Sequence, residues 1–422
     1  MTGQCMRDAR PDAILGCIAG GAIGDAAGSA FEGRPAGSEP RSLLGVDWHL
    51  TDGTQLTLAT CESIIERGAP HPEHIAASLL RWFRAGRVTG LGASTLKALR
   101  DLEVGAHWAL AGRKGERAAG NGAAMRIAPL AFCIEPWTDE SRRFIRDVCR
   151  ITHHNDEAYA GALAVCLAVW RAKNGGQSLE WVASKMPHTA VGERLLAYAA
   201  LPAGESLMEA ARRFGNSGYV VESVPLALFA AQSVAELGFA GMLEQLIAAG
   251  GDTDTNASIA GQVAGAALGF SGLPAELVRK LPQGDMVLGI ARSFAESVVH
   301  RVEPYFVISK TDGPCLELGG DGTYQACQEL LRELQEVFGA RYSEHLDGGN
   351  NPGNDKEHGY WNVEIFGQEF FVMRSRGYGI CLWGPRPPAD VRGFLRVAAH
   401  FGARERMSPL KRIAYWLGLK KP

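Results

Sequence analysis

Glycine recurs at every fourth position in two apolar segments, at Gly16, Gly20, Gly24 and Gly28 and again at Gly261, Gly265 and Gly269. A spacing of four keeps the glycines of each segment on one face of an α-helix. Each glycine costs about 1 kcal/mol of helix stability relative to alanine, so a run of them implies a compensating contact. The contact open to a residue without a β-carbon is close approach of another backbone. The spacing therefore predicts two core helices that cross tightly. The chain holds 52 glycines, against roughly 30 at an average usage of about 7%, and the excess reads as close packing and tight turns, not disorder.

With 422 residues the chain exceeds one ordinary core of about 100–200 residues, and its texture changes near residue 300. From 11 to 300, alanine- and leucine-rich segments recur at helical spacing, as in Ile75, Leu79, Leu80 and Phe83, and strand-like alternation is almost absent. This part is expected to be an all-helical domain. From 303 to 422 a small α+β domain is expected. Tyr305–Ile308 is strand-like, Tyr324–Phe338 has helical spacing, Trp361–Phe366 and Glu369–Met373 flank a Gly367-Gln368 turn, and Gly379–Trp383 follows as another strand. The turn-rich stretch Asp347–Asp355 lies between the helix and the hairpin.

The formal net charge of -3 provides no general attraction for nucleic acid or an anionic membrane, so an anionic ligand must be held locally. Ile14–Phe31 is apolar but carries Asp25 and many glycines, which makes it a poor spanning segment. The polar start, Met1–Arg10, lacks the layout of a signal peptide. Nine cysteines without a C-x-x-C pair argue against a disulfide framework, and a cytoplasmic location is expected.

Chemistry gathers at two helix starts. Asp252 and Asp254, with Thr253 and Thr255, follow Gly250-Gly251 and open the second glycine-striped helix. Two carboxylates and hydroxyls so close together suit a hard divalent cation. Equally, Asp and Thr are good helix caps, and acids are stabilised at a helix N-terminus. Thr51-Asp52-Gly53-Thr54 precedes a helix expected over roughly Leu56–Glu66, with Thr54 a candidate cap, and could complete an oxygen shell begun by the other pair. Ala119–Arg126 is a glycine-flanked loop able to hold a pyrophosphate or to be an ordinary turn. His153, in Thr152–Asp156, reads either as a ribose contact or as a helix cap.

Taken in order, Gly20–Gly28, Thr51–Leu58, Gly120–Pro129, Thr152-His153 and Gly250–Thr255 resemble the signature of the ADP-ribosylglycohydrolase family, which includes the enzyme that reactivates dinitrogenase reductase. The resemblance covers about residues 11–300. It implies an all-α fold around a binuclear Mg²⁺ or Mn²⁺ centre that cleaves the glycosidic bond at the distal ribose of ADP-ribose. By the same resemblance Thr51, Asp52, Asp252, Asp254 and Thr255 would be metal ligands, and Asp52 and Asp252 would belong to the catalytic set together with Glu32, a candidate general base. Gly120, Asn121, Gly122 and Met125 would line the phosphates and His153 would contact the ribose side.

One position departs from the pattern. The family usually reads Thr-Asp-Asp-Thr where this chain has Gly53, which removes a carboxylate from one metal site. Two functions are therefore expected to compete: hydrolysis of an ADP-ribosyl adduct, and non-catalytic binding of ADP-ribose or an ADP-ribosylated protein, as in an immunity-like protein. Nucleic acid is expected only as a modified substrate. The C-terminal domain is a candidate surface for a protein partner, with Tyr360, Trp361 and Trp383 as its aromatics.

Overall fold

The computed structural model describes residues 9–299 apart from 35, 38–41 and 203, and beyond them strands and short helical stretches between 305 and 405. Two compact units divide the chain, one of Asp8–Val298 and the other of Met1–Arg7 with Val299–Pro422.

The first unit is built from helices. In chain order its first half holds α1 (Ala9–Ser29), α2 (Asp52–Arg67), α3 (Pro72–Arg84), α4 (Ala93–Glu103), α5 (Trp108–Ala111), α6 (Asp139–Arg150) and α7 (Asp156–Lys173). The second half holds α8 (Leu179–Ser184), α9 (Ala190–Ala199), α10 (Leu207–Phe214), α11 (Val220–Gln232), α12 (Val234–Ala248), α13 (Thr253–Leu268), α14 (Ala275–Lys280) and α15 (Gly284–Val299). The described strands of this unit are β1 (Arg113–Lys114) and β2 (His153–His154), which pair in parallel.

The two glycine stripes face each other. A β-carbon on Gly16 would strike the carbonyl of Gly265, one on Gly20 the carbonyl of Gly261, one on Gly24 that of Ala257, and one on Gly28 that of Thr253. Each step of four along α1 is thus matched by a step of four back along α13, and the two helices run antiparallel at backbone contact. The stabilisation given up by the glycines returns as dispersion between main chains that no larger residue would permit. Ile14, Ile18, Ile23, Ile259 and Val263 fill the surrounding core, and α7 and α11 pack around the pair with Leu163, Leu167, Val220 and Val224. The register has a functional consequence: the C-terminal end of α1 meets the N-terminal end of α13.

Among the described residues no helix is long and apolar enough to cross a membrane. In the second unit the sheet runs β5-β6-β7-β8-β4-β3-β9, formed by β3 (Tyr305–Ser309), β4 (Gly313–Gly319), β5 (Arg341–His345), β6 (His358–Ile365), β7 (Gln368–Ser375), β8 (Gly379–Trp383) and β9 (Arg404–Glu405). The expected hairpin is β6-β7, with Val363 opposite Phe370, and β7 continues to β8 with Val372 opposite Leu382. All four of these side chains are buried. The strands β4 and β5 carry no alternation strong enough to stand out in the sequence, and they add the sheet's breadth. The fold is mainly helical with an α+β extension, as expected. Residues 324–330, the stretch 347–355 and the side chains of Tyr360, Trp361 and Trp383 lie outside the described residues.

Candidate functional site

The acidic helix starts come together because α1 delivers Asp25 between them. Asp25 follows Gly24, at the point of backbone contact, and is completely buried. Its carboxylate accepts the backbone N–H of Thr51 at 2.9 Å and the Thr54 hydroxyl at 2.6 Å, and also the Thr51 hydroxyl. The helix α2 begins at Asp52, four residues earlier than its apolar pattern suggests. Thr51, not Thr54, is its cap, accepting the N–H of Gly53 at 3.4 Å. Asp52, in the first turn, is almost fully buried and receives the backbone N–H of Gly92.

At α13 the arrangement differs. Gly250 and Gly251 adopt φ of 75° and 79°, left-handed values that favour glycine, and turn the chain into the helix. Asp252 occupies the cap position but its side chain makes no cap hydrogen bond. Instead it accepts from the Asn121 amide at 2.8 Å, while its backbone N–H donates to the carbonyl of Asn216 at 3.0 Å. Asp254 is buried and accepts the N–H of Thr255 at 2.7 Å, and Thr253 donates to the carbonyl of Gly28 at 2.9 Å. Capping thus accounts for Thr51 but not for Asp252.

These acids raise one another's proton affinity. Burial pushes the carboxyl of Asp25 upward against the pull of its Thr51 and Thr54 donors. Asp52 is pushed up to about 8, by burial first and then by the charges of Asp25, Asp252 and Glu32, with the Gly92 N–H acting in the opposite direction. Asp254 is pushed up to about 9, by burial and then by the adjoining Asp252, with Asp25 and Glu32 adding to it. Glu32, exposed in the turn after α1, therefore lies within the field of both. Arg34 stacks on Phe31 at 4.9 Å. Among the described residues none of these acids has an ion-pair partner.

Among the described residues no three His, Cys, Asp or Glu side chains already stand as a cage. The donors are nevertheless all oxygens, and among the described residues no cationic side chain pairs with them, which is the chemistry a hard divalent cation answers.

The glycine loop closes the site from another side. The N–H of Asn121 donates to the carbonyl of Gly218 at 3.2 Å and the N–H of Val220 to that of Ala119 at 3.0 Å, so the loop pairs with the segment Asn216–Val220. The N–H of Gly122 has no hydrogen-bond partner among the described residues, whereas Ala123 is completely buried. The side chain of Met125 is also buried, its N–H bonds the carbonyl of Asn121, and its own carbonyl accepts from Thr57 and Gln262. These bonds tie Met125 to the loop, to α2 and to α13. His153 is buried in β2 with its ring against Gly120 and Gly122, and Asn155, not a histidine, caps α7. Asp25 escaped the sequence reading as a site residue although it is the lone acid in the apolar, glycine-rich stretch Ile14–Ser29. The segment Asn216–Tyr219 carries no local pattern that would have pointed to it.

Comparison with known proteins bears on the same stretch of chain. The sequence model described as ADP-ribosylglycohydrolase matches residues 6–304, and both acidic helix starts and the glycine loop fall within the match. The chain belongs to the ADP-ribosylglycohydrolase family. It is a hydrolase of the class that acts on ADP-ribosylated substrates. It is 29% identical over 297 residues to the ADP-ribosylarginine hydrolase Tri1 of Pseudomonas putida, covering 67% of this chain and 77% of that one. To the ADP-ribosyl-dinitrogen reductase glycohydrolase of Rhodospirillum rubrum it is 26% identical over 305 residues, covering 67% and 92%. A solved ADP-ribosylglycohydrolase-related protein complex aligns with a TM-score of 0.54 at 27% identity, covering 69% of this chain and 99% of its own.

Proposed function

We propose that this glycohydrolase depends on Mg²⁺ or Mn²⁺ and cleaves the glycosidic bond between ADP-ribose and a protein side chain, with arginine the first acceptor to test. The observation that carries the reading is the gathering of Asp25, Asp52, Asp252 and Asp254 without an ion-pair partner among the described residues. Arginine is favoured because two relatives of this chain, from Pseudomonas putida and Serratia proteamaculans, are ADP-ribosylarginine hydrolases.

In this reading Asp52, Asp252 and Asp254 hold the cation with the Thr51 and Thr255 oxygens, and Asn121 orients Asp252. A bound divalent cation would supply polarisation of the ribose oxygens and of water. Gly120, Asn121, Gly122 and Met125 line the diphosphate, and His153 donates a hydrogen bond beside them. Glu32 is exposed at the rim, where it can exchange protons with solvent and act as the general base. Thr51 donates its hydroxyl hydrogen to Asp25, which leaves its oxygen as an acceptor and a donor of electron pairs to a cation.

A second reading, ADP-ribose binding without turnover, rests on Gly53. A β-carbon there would stand 3.1 Å from a carboxylate oxygen of Asp25, so the acid usual in the family would add a further negative charge beside one already buried. The deciding assay follows free ADP-ribose released from arginine- and serine-modified peptides with Mg²⁺ or with EDTA. Release that requires the cation and falls more than about 100-fold in Asp252→Ala is expected, a larger loss than that typical for removing a supporting partner of a metal ligand. Full activity in EDTA or in Asp252→Ala would refute the metal-dependent reading. Turnover absent in the wild type but gained in Gly53→Asp would favour the binding protein.

A further inference from the structure

Arg126 is completely buried and has no carboxylate beside it among the described residues. One guanidinium nitrogen, Nη2, donates to the carbonyl of Val148 at 3.1 Å and to the hydroxyl oxygen of Thr152 at 3.0 Å, while Nε and Nη1 have no partner. Burial lowers its pKa to about 10, so it stays charged at neutral pH. A charge placed at such cost calls for a role that a neutral residue would not fill.

The hydrogen bonds specify that role. A guanidinium only donates, so the oxygen of Thr152 accepts from Arg126. Thr152 is itself completely buried, and the other neighbour of its hydroxyl is Nδ1 of His153 at 2.8 Å. Nδ1 is the one acceptor within reach of this buried hydroxyl among the described residues, so directing the hydroxyl proton there satisfies Arg126, Thr152 and the ring together and makes Nδ1 the acceptor nitrogen. Burial, and then the charges of Arg126 and Arg113, take the pKa of His153 down to about 3 and keep the ring neutral. A neutral imidazole carries one N–H, so the proton resides on Nε2. That edge faces the glycine loop: a β-carbon on Gly120 would lie 3.4 Å from Nε2, and one on Gly122 would lie 3.0 Å from Cε1 and 3.4 Å from Nε2. Nε2 has no protein acceptor among the described residues.

We infer that Arg126 is a positioning residue: acting through Thr152, it locks His153 as the Nε2–H tautomer and so presents a fixed neutral donor to an oxygen of the ligand at the glycine loop. The tautomer rests on the hydrogen bonds and burial of the ring, whereas the ligand it serves rests on the proposed function. The lock makes the donor independent of pH over the range in which an ordinary histidine titrates. It also explains Gly122, since a side chain there would press against the ring.

The test is long-range proton–nitrogen spectroscopy of the full chain labelled with ¹⁵N-histidine, with the His153 signal identified by its loss in His153→Gln. The wild type is expected to show bare Nδ1 and protonated Nε2 throughout about pH 5–8. Thr152→Val removes the hydroxyl at similar volume. It should let the ring exchange between tautomers and weaken ADP-ribose binding, measured by calorimetry, about 3- to 10-fold, the effect of one ordinary hydrogen bond. Thr152→Ser should restore both. Protonated Nδ1 in the wild type, or titration of His153 near its ordinary pKa, overturns the inference, as does a Thr152→Val protein with unchanged tautomer and affinity. If Thr152→Val does not fold, the wild-type and Thr152→Ser spectra decide. A wild type with the expected tautomer but no affinity for ADP-ribose would overturn the proposed ligand and leave the lock in place.

Discussion

The starts of α2 and α13 are alike in composition and unlike in support. At α2, Thr51 caps the helix, and the cap and Thr54 are tied to a fully buried acid on α1. At α13, Asp252 holds the cap position without capping, and its carboxylate is steadied by the amide of Asn121 on a loop. An acid that satisfies its neighbours' donors is part of the framework. One that is left with lone pairs to spare is available to a ligand. The same two residue types, Asp and Thr, thus divide between structure and chemistry according to what each finds across the contact.

The largest expected effect is on the α2 side and falls on stability. Asp25→Ala leaves three buried donors without an acceptor, at about 1–3 kcal/mol each, so urea unfolding should show a loss of at least about 3 kcal/mol. A variant as stable as the wild type would show that Asp25 is not the anchor of α2. On the α13 side the loss should fall on turnover instead. Asn121→Ala is expected to reduce ADP-ribose release about 10- to 100-fold, as for other partners that orient a metal ligand, with a stability change near 1 kcal/mol. Equal turnover in this variant would erase the distinction between the two helix starts.

The smallest effect tests the acids at both ends together. Asp52 and Asp254, at about 8 and about 9, bind protons more tightly in the folded chain than the ordinary carboxylate near 4 in the unfolded one. Their stabilising contribution is therefore complete below about pH 4 and is lost as pH rises through their folded values. In EDTA the melting temperature should fall between pH 6 and pH 9. Added Mg²⁺ should recover most of the loss at pH 9 and little at pH 5, where protons compete for the same oxygens. A melting temperature that does not respond to Mg²⁺ at pH 9 would separate the acids from any cation.

Much of the framework was legible from spacing. The glycine stripes announced two helices in backbone contact, and the acids at the two helix starts were visible because each motif is compact in sequence. The boundary of α2 was not, since its first turn is buried by polar contacts and the apolar pattern begins only afterwards. Met125 was placed along the phosphates by the resemblance alone, and the use of its backbone groups within the protein depends on residues 68 and 137 positions away. The roles of Asn216 and Arg126 depend on partners far along the chain and left no local trace.

The amino-acid sequence by itself determined the helical character of the first unit, the tight crossing of α1 and α13 and the presence of two oxygen-rich helix starts, because helix periodicity and glycine's missing side chain act over a few residues. Only the tertiary structure decided which acid anchors and which is offered. Asp25 meets Thr51 across 26 residues and Asn121 meets Asp252 across 131, and the energy of a carboxylate depends on burial and on the donors around it, which spacing along a chain does not encode.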